Sequence, residues 1–236
     1  MRDTTLVLVA PVASRRRVGE PLTIDIFCIS SQVVSTSAVA ETGCLTAERI
    51  LSAAEEVVRR HGAAKATVVD VAQALGVSHG SIYRFFPSKV ALREAVVGVW
   101  LNRIADNLET VPNEGTAHDR LKGWFAAHLA LKKSQRASDP ELFEAFRQLS
   151  FQFPEAVRAY KERLAVQIAG RLEYGCSTGE IVGLDAAAAS WALLSATTRF
   201  HNPAFASEWD DPQSNGDFEI LWSFLSRSIF LQGTCP

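Results

Sequence analysis

Three observations predict an all-α fold with a small N-terminal helix-turn-helix unit, a long connecting helix and a larger helical part behind it. Apolar residues recur at three- and four-residue spacing after residue 45, and no stretch alternates with the period of two that a half-buried strand needs. Residues 67–89, TVVDVAQALGVSHGSIYRFFPSK, read as two short helices separated by a glycine turn and closed by a proline. The remaining breakers, at residues 138–140, 154, 175–183 and 202–216, are spaced as the ends of helices. A chain of 236 residues, 47% hydrophobic and 21% charged, can bury the core that such an architecture requires.

Residues 1–45 have no clean periodicity. An apolar run at 6–12, the basic cluster Arg15, Arg16 and Arg17, and Ala38-Val39-Ala40 have some of the look of an export signal, but Asp25 and Gln32 interrupt the apolar part. The reading preferred on that ground is a disordered extension that adds little to folding. From Thr46, Ile50, Leu51, Ala54, Val57 and Val58 form one stripe and Gly62 closes it, which predicts a helix over 46–61. Thr67 can cap a helix carrying Val68, Val71, Ala72 and Leu75, and Gly76 supplies the left-handed residue that stops it. Ser78 caps a second helix over 79–86, with Ile82 and Phe85 or Phe86 inward and His79, Gly80, Ser81, Tyr83 and Arg84 outward. Ser88 starts a long fourth helix that runs to Pro112. Five more are predicted near 116–134, 140–150, 155–175, 184–200 and 217–231.

Charge is uneven along the chain. The net charge is −2, yet residues 46–103 hold eight Lys/Arg against five acids, +3, while residues 104–236 sum to −5. A locally basic face is what neutralising nucleic-acid phosphates requires, and an acidic remainder keeps the rest of the molecule off the polyanion. Four cysteines, at 28, 44, 176 and 235, form no Cys-x-x-Cys, and the five histidines show no metal-ligand spacing, so no metal site or redox pair is expected. No apolar run approaches the roughly 20 residues a membrane-spanning helix needs. A catalytic site would need a nucleophile beside a base, and no local pattern around His61, His118, His128 or His201 assembles one. A helical adaptor protein is the other rival, and it gives no reason for the basic motif.

The run from Arg49 to Leu92, with ILSAAEEVVRRHG, then T-V-x-D-V-A-x-A-L-G-V-S-x-G-S-I-Y-R-F-F and S-K-x-x-L, resembles the N-terminal domain of the TetR family of transcriptional regulators. The resemblance implies a DNA-binding domain over 46–103 and an effector-binding and dimerisation domain over 104–236. It also implies that Thr67, Ser81, Tyr83 and Lys89 hold phosphates and that His79, Gly80 and Arg84 face base edges, with Ser78 in the same DNA-facing set. Tyr83 as a half-buried core aromatic, Lys89 as a solvated charge and His79 as an ordinary helix-start residue stay open at this point. Gly80 has no side chain to read a base and permits close approach instead. In the C-terminal part Trp124, Phe125, His128, Phe143, Phe146, Phe151, Phe153 and Trp191 are candidate lining for a largely apolar effector pocket, with plain core as the alternative. Phe218, Leu221, Trp222, Leu225 and Ile229 share a helical face suited to a dimer contact, beside a helix of small residues from Ala186 to Ala196, with a purely internal core as the alternative. The expected function is a cytoplasmic, non-enzymatic regulator without cofactor. It would bind a palindromic operator as a homodimer, act as a repressor, and be released by a small effector.

Overall fold

The side chain of Thr46 starts the first helix by accepting the N–H of Arg49 at 3.3 Å, satisfying one of the four donors that a helix start leaves open. The computed structural model describes residues 44–230, so the expectations for residues 1–43, including the arginine cluster, lie outside the described residues. The first helix, α1 (Ala47–Lys65), is longer than predicted. Gly62 adopts φ 75°, ψ 161°, which kinks the helix without ending it, and a further turn follows to Lys65.

Thr67 then opens α2 (Val68–Leu75) with a reciprocal capping box: the Asp70 N–H donates to the Thr67 hydroxyl, and Thr67 N–H donates to the Asp70 carboxylate. Gly76, left-handed at φ 67°, stops α2 and lets Val77 N–H reach the Ala72 carbonyl at 3.0 Å. The second helix of the motif, α3 (His79–Tyr83), is shorter than the predicted 79–86. The N–H groups of Phe85 and Phe86 both donate to the Ile82 carbonyl at 3.0 Å, so the chain leaves the helix in turns, as the proline at 87 demands of the residue before it. Phe86 is the aromatic packed against the core and Phe85 stays exposed. Ser88 caps α4 (Lys89–Glu109), the long connecting helix, whose Leu92, Val96, Val97, Trp100, Leu101 and Ile104 are buried.

Behind it come α5 (Ala117–Ser138), α6 (Pro140–Ser150), α7 (Pro154–Thr178), α8 (Ala186–Ala196), α9 (Thr198–His201), a 3-10 turn over Pro203–Glu208, and α10 (Ser214–Ile229). The helix predicted over 184–200 divides at Thr197. Its buried hydroxyl donates back to the Leu193 carbonyl at 2.8 Å, a local bond that competes with the helix ladder and bends it. Helix α5 runs a turn beyond the predicted 134, up to Asp139, which caps α6 through the Leu142 N–H. Among the described residues there is no strand. One buried cluster runs without a break from Ile50 in α1 to Trp222 in α10, and α1 packs on α6 as well as on α2.

Candidate DNA-reading head and effector domain

The head is built around Ile82, fully buried, which pins α3 to the core and turns the helix's other side outward. His79, Gly80, Tyr83 and Arg84 are exposed on that outer side, Tyr83 at 42%, and Ser81 is half-buried. Tyr83 therefore belongs to the surface rather than the core. Its ring meets that of His79 edge-on at 6.3 Å, so the two side chains support each other's position. Ser78 accepts the Ser81 N–H at 3.2 Å, and their two hydroxyls lie 2.9 Å apart. Thr67 is already engaged: its N–H and its hydroxyl both donate to Asp70, at 2.9 and 2.6 Å. These bonds hold the Asp70 carboxyl below its usual pKa, which leaves Thr67 without a free donor for a phosphate.

The cations of the basic segment divide by what they touch. Arg103 holds Glu55 through two bonds of 2.9 and 3.1 Å, Arg59 holds Asp139 at 2.7 Å, and Arg60 holds Glu56 at 2.8 Å. Arg93 reaches across from α4 to the Ala63 carbonyl at 2.6 Å and the Ala66 carbonyl at 3.4 Å, tying the end of α1 to the start of α2. Arg49 bonds the Cys44 carbonyl at 3.1 Å, while Lys65, Arg84 and Lys89 carry no ion pair among the described residues and are available to face a polyanion. The locking role of Arg93 escaped sequence reasoning, because the open carbonyls of a helix end leave no residue pattern.

The predicted effector residues do not all come together. Trp124, His128 and Phe146 are fully buried at the centre of the C-terminal helices, with Phe125 beside Trp124. Phe143 is buried elsewhere, in a small cluster with Ala206 and Trp209. Phe151 is 68% exposed, because α6 ends there and its ring lies under the Arg147 guanidinium, and Trp191 is 42% exposed on the outer face of α8. Those two are corrected from pocket wall to surface. What sequence reasoning missed is polar: Lys132 is buried one turn after His128, and Tyr160 and His201 close around the pair. The signal was present, since Lys132 continues the stripe Leu121, Trp124, Phe125, His128 and Leu129 at a position where an apolar residue is expected.

The predicted dimer face also needs correction. Phe218 and Trp222 are buried within their own chain: Phe218 packs on Phe200, and the Trp222 indole donates to His118 Nε2 at 3.1 Å. Leu221, Leu225 and Ile229 are half-buried on the same core. The outward apolar residues of α10 are Ile220 and Phe224, 72% and 69% exposed, and α8 turns Ala188, Trp191, Ala192 and Ser195 outward. Among the described residues no helix is long and apolar enough to cross a membrane, and no group of three or more His, Cys, Asp or Glu is placed to hold a metal.

An all-helical chain that presents a helix-turn-helix on one long helix and continues into a larger helical body defines a class, the DNA-binding transcriptional regulators. Two family models narrow it. Bacterial regulatory proteins of the tetR family match residues 50–96, and the tetracyclin repressor-like C-terminal domain matches residues 117–222. The chain belongs to the TetR family of transcriptional regulators, which are non-enzymatic DNA-binding proteins. No curated protein matches it in sequence. Solved structures share its fold at low identity. A TetR regulator from Haloarcula marismortui is 19% identical with a TM-score of 0.60 over 78% of this chain and 98% of its own. The fatty acid degradation regulator FadR from Bacillus halodurans is 18% identical, TM-score 0.57, over 83% and 99%. SmeT, the repressor of the Stenotrophomonas maltophilia multidrug efflux pump SmeDEF, is 19% identical, TM-score 0.57, over 80% and 92%.

Proposed function

We propose that this chain is a cytoplasmic repressor that binds a near-palindromic operator as a homodimer and is released by a small effector entering the helices of residues 104–236. The observation that carries the DNA-binding part is the outer side of α3. Ile82 holds it in place, His79, Tyr83 and Arg84 project from it, and Lys65, Arg84 and Lys89, which carry no ion pair among the described residues, lie in the same basic segment. In this reading Ser78, Ser81, Tyr83 and Lys89 position the head on phosphates, His79 and Arg84 reach base edges, and Gly80 lets α3 approach the groove closely. Thr67 acts mainly by shaping α2 through Asp70.

Two copies meeting through α8 and α10 would place two heads about one helical repeat, roughly 34 Å, or a multiple apart on one side of the duplex. Trp191, Ile220 and Phe224 are the exposed apolar residues that such a contact would cover. A ligand that parts the C-terminal helices would shift α4 and change that separation, which costs contacts at both half-sites.

Selection of bound duplexes from a random pool tests the reading: two-fold related half-sites are expected. Lys89→Ala should then weaken binding to every sequence alike and lower the salt slope by about one. An altered sequence preference in Lys89→Ala would remove Lys89 from the phosphate contacts.

A further inference from the structure

The C-terminal helices enclose a cation without a counter-ion. Lys132 is 2% exposed, and among the described residues its ammonium has neither hydrogen bond nor ion pair. It lies over two aromatic rings, Trp100 of α4 at 5.1 Å and Tyr160 of α7 at 5.3 Å. The groups around it leave other polar atoms open. His128 Nε2 bonds the Tyr160 hydroxyl at 3.1 Å while its Nδ1 has no partner, and Gln135 Oε1 on the same side of α5 has none. His201 of α9 stacks on His128 at 4.6 Å. Buried polar groups are normally paired, and a buried ammonium facing rings and imidazoles with no carboxylate is the least expected of them.

We propose that the effector of this chain carries one carboxylate on an otherwise apolar body, and that the Lys132 ammonium receives that carboxylate, with His128 Nδ1 available as a second donor. The proposal deepens the reading given above and rests on it for the link to DNA release. An apolar wall is present in Trp124 and Phe146, and Phe146 stacks on Trp100 at 4.5 Å with the rings 3° from parallel. Trp100 joins the site to the head, because it lies on the helix that Lys89 begins. A carboxylate that draws the ammonium off the Trp100 face disturbs α4 directly.

Burial holds the Lys132 amine down to about 7, so near neutral pH it is about half protonated, and a carboxylate that holds it charged makes binding take up a proton. The surrounding groups stay silent near and above neutrality. Burial, then His201 and Lys132, keeps His128 uncharged; burial with Lys132 and Lys161 does the same for His201, and burial keeps the Tyr160 phenol protonated. Carboxylate affinity should therefore be level just below pH 7 and fall about tenfold per unit above it.

The test uses the full chain and three carboxylates, octanoate, dodecanoate and 4-phenylbutyrate, beside their methyl esters. Melting temperature, tryptophan fluorescence and proton uptake by calorimetry in two buffers are measured for the wild type and Lys132→Met. The expected result is stabilisation by at least one carboxylate but not its ester, uptake of about half a proton at pH 7, and loss of both in a folded Lys132→Met. Esters that bind as tightly as acids, equal carboxylate binding by Lys132→Met, or no carboxylate binding below about 1 mM would each overturn the proposal. Should Lys132→Met not fold, Lys132→Gln takes its place, and wild-type proton uptake alone remains decisive. Carboxylate binding that leaves an operator complex intact would preserve the anion site and sink the release mechanism instead.

Discussion

In the proposed DNA contact Lys89 and Gly80 would serve in different ways. There Lys89 contributes charge; among the described residues it forms no ion pair, although the Asp70 carboxyl feels its charge. Gly80 contributes the lack of a side chain. A methyl added there would touch only the Ser78 hydroxyl oxygen at 3.7 Å, an ordinary contact, and its backbone is not left-handed. Gly80→Ala should thus leave the melting temperature unchanged or raise stability by roughly 0.5–1 kcal/mol, as alanine does in a helix. If α3 sits tightly in the groove, the same variant loses operator affinity. An unchanged melting curve with unchanged affinity in fluorescence anisotropy would mean that the space at Gly80 is not used by DNA. Arg93 acts at the same scale with a structural purpose, binding carbonyls that the C-terminal end of α1 leaves open.

At the scale of elements, α10 divides its apolar residues between two sides. Phe218 and Trp222 serve the chain's own core, while Ile220 and Phe224 face away from it. This decides which substitution tests self-association. A charge at Leu225 would mix loss of core packing with loss of a partner, whereas Phe224→Glu alters the outward side alone. Size-exclusion chromatography with light scattering should give a folded monomer for Phe224→Glu, with weakened operator binding. A dimer of unchanged mass would move the contact to another surface. Helix α4 has the opposite character, buried on one face along its length, with Arg93 tying its first turns to the Ala63 carbonyl and ion pairs holding its C-terminal half. Arg103 joins it to Glu55 in the head, and Arg163 from α7 reaches Asp106 and Glu109 near its C-terminal end, at 2.8 and 3.2 Å. A helix clamped in this way is suited to move as a unit, which the proposed release of DNA by an effector requires.

For the whole molecule, the buried amine gives stability an unusual dependence on pH. Lys132 titrates near 10.5 in the unfolded chain and about 7 in the folded one, so the unfolded chain binds more protons between those values. Stability should rise with pH across that interval and is free of the penalty only above about 10.5. His201, held down to about 4, adds loss of stability as pH falls from 6.5 toward 4, and His128 acts in the same direction. Between pH 7 and 9 the gain from Lys132 is on the order of 2–3 kcal/mol, several degrees in melting temperature. Thermal unfolding of Lys132→Met should show a higher melting temperature at pH 7 and a nearly flat profile above it. A wild-type melting temperature that falls from pH 7 to 9 would contradict the assignment.

The sequence by itself determined the local devices of this protein. Thr46, Thr67, Ser78 and Ser88 cap helices through hydroxyls one turn from their targets, Gly76 turns the motif, and the stripe of Ile50, Ala54 and Val57 faces inward, because all of these act over a few residues. That local pattern also carried the family resemblance, which the matches over 50–96 and 117–222 bear out. What only the tertiary structure decided is what each side of a helix meets. Helical spacing put Phe218 and Trp222 on one face but could not say that Phe200 and His118 of the same chain would cover it. Nor could it separate the central Trp124 and Phe146 from the exposed Phe151 and Trp191, since all four are aromatics at helical spacing. Lys132 is the clearest instance. In the sequence it is a lysine on a helix, ordinarily a solvated charge, and it becomes a buried cation only because α4, α7 and α9, distant in the chain, bring Trp100, Tyr160 and His201 around it.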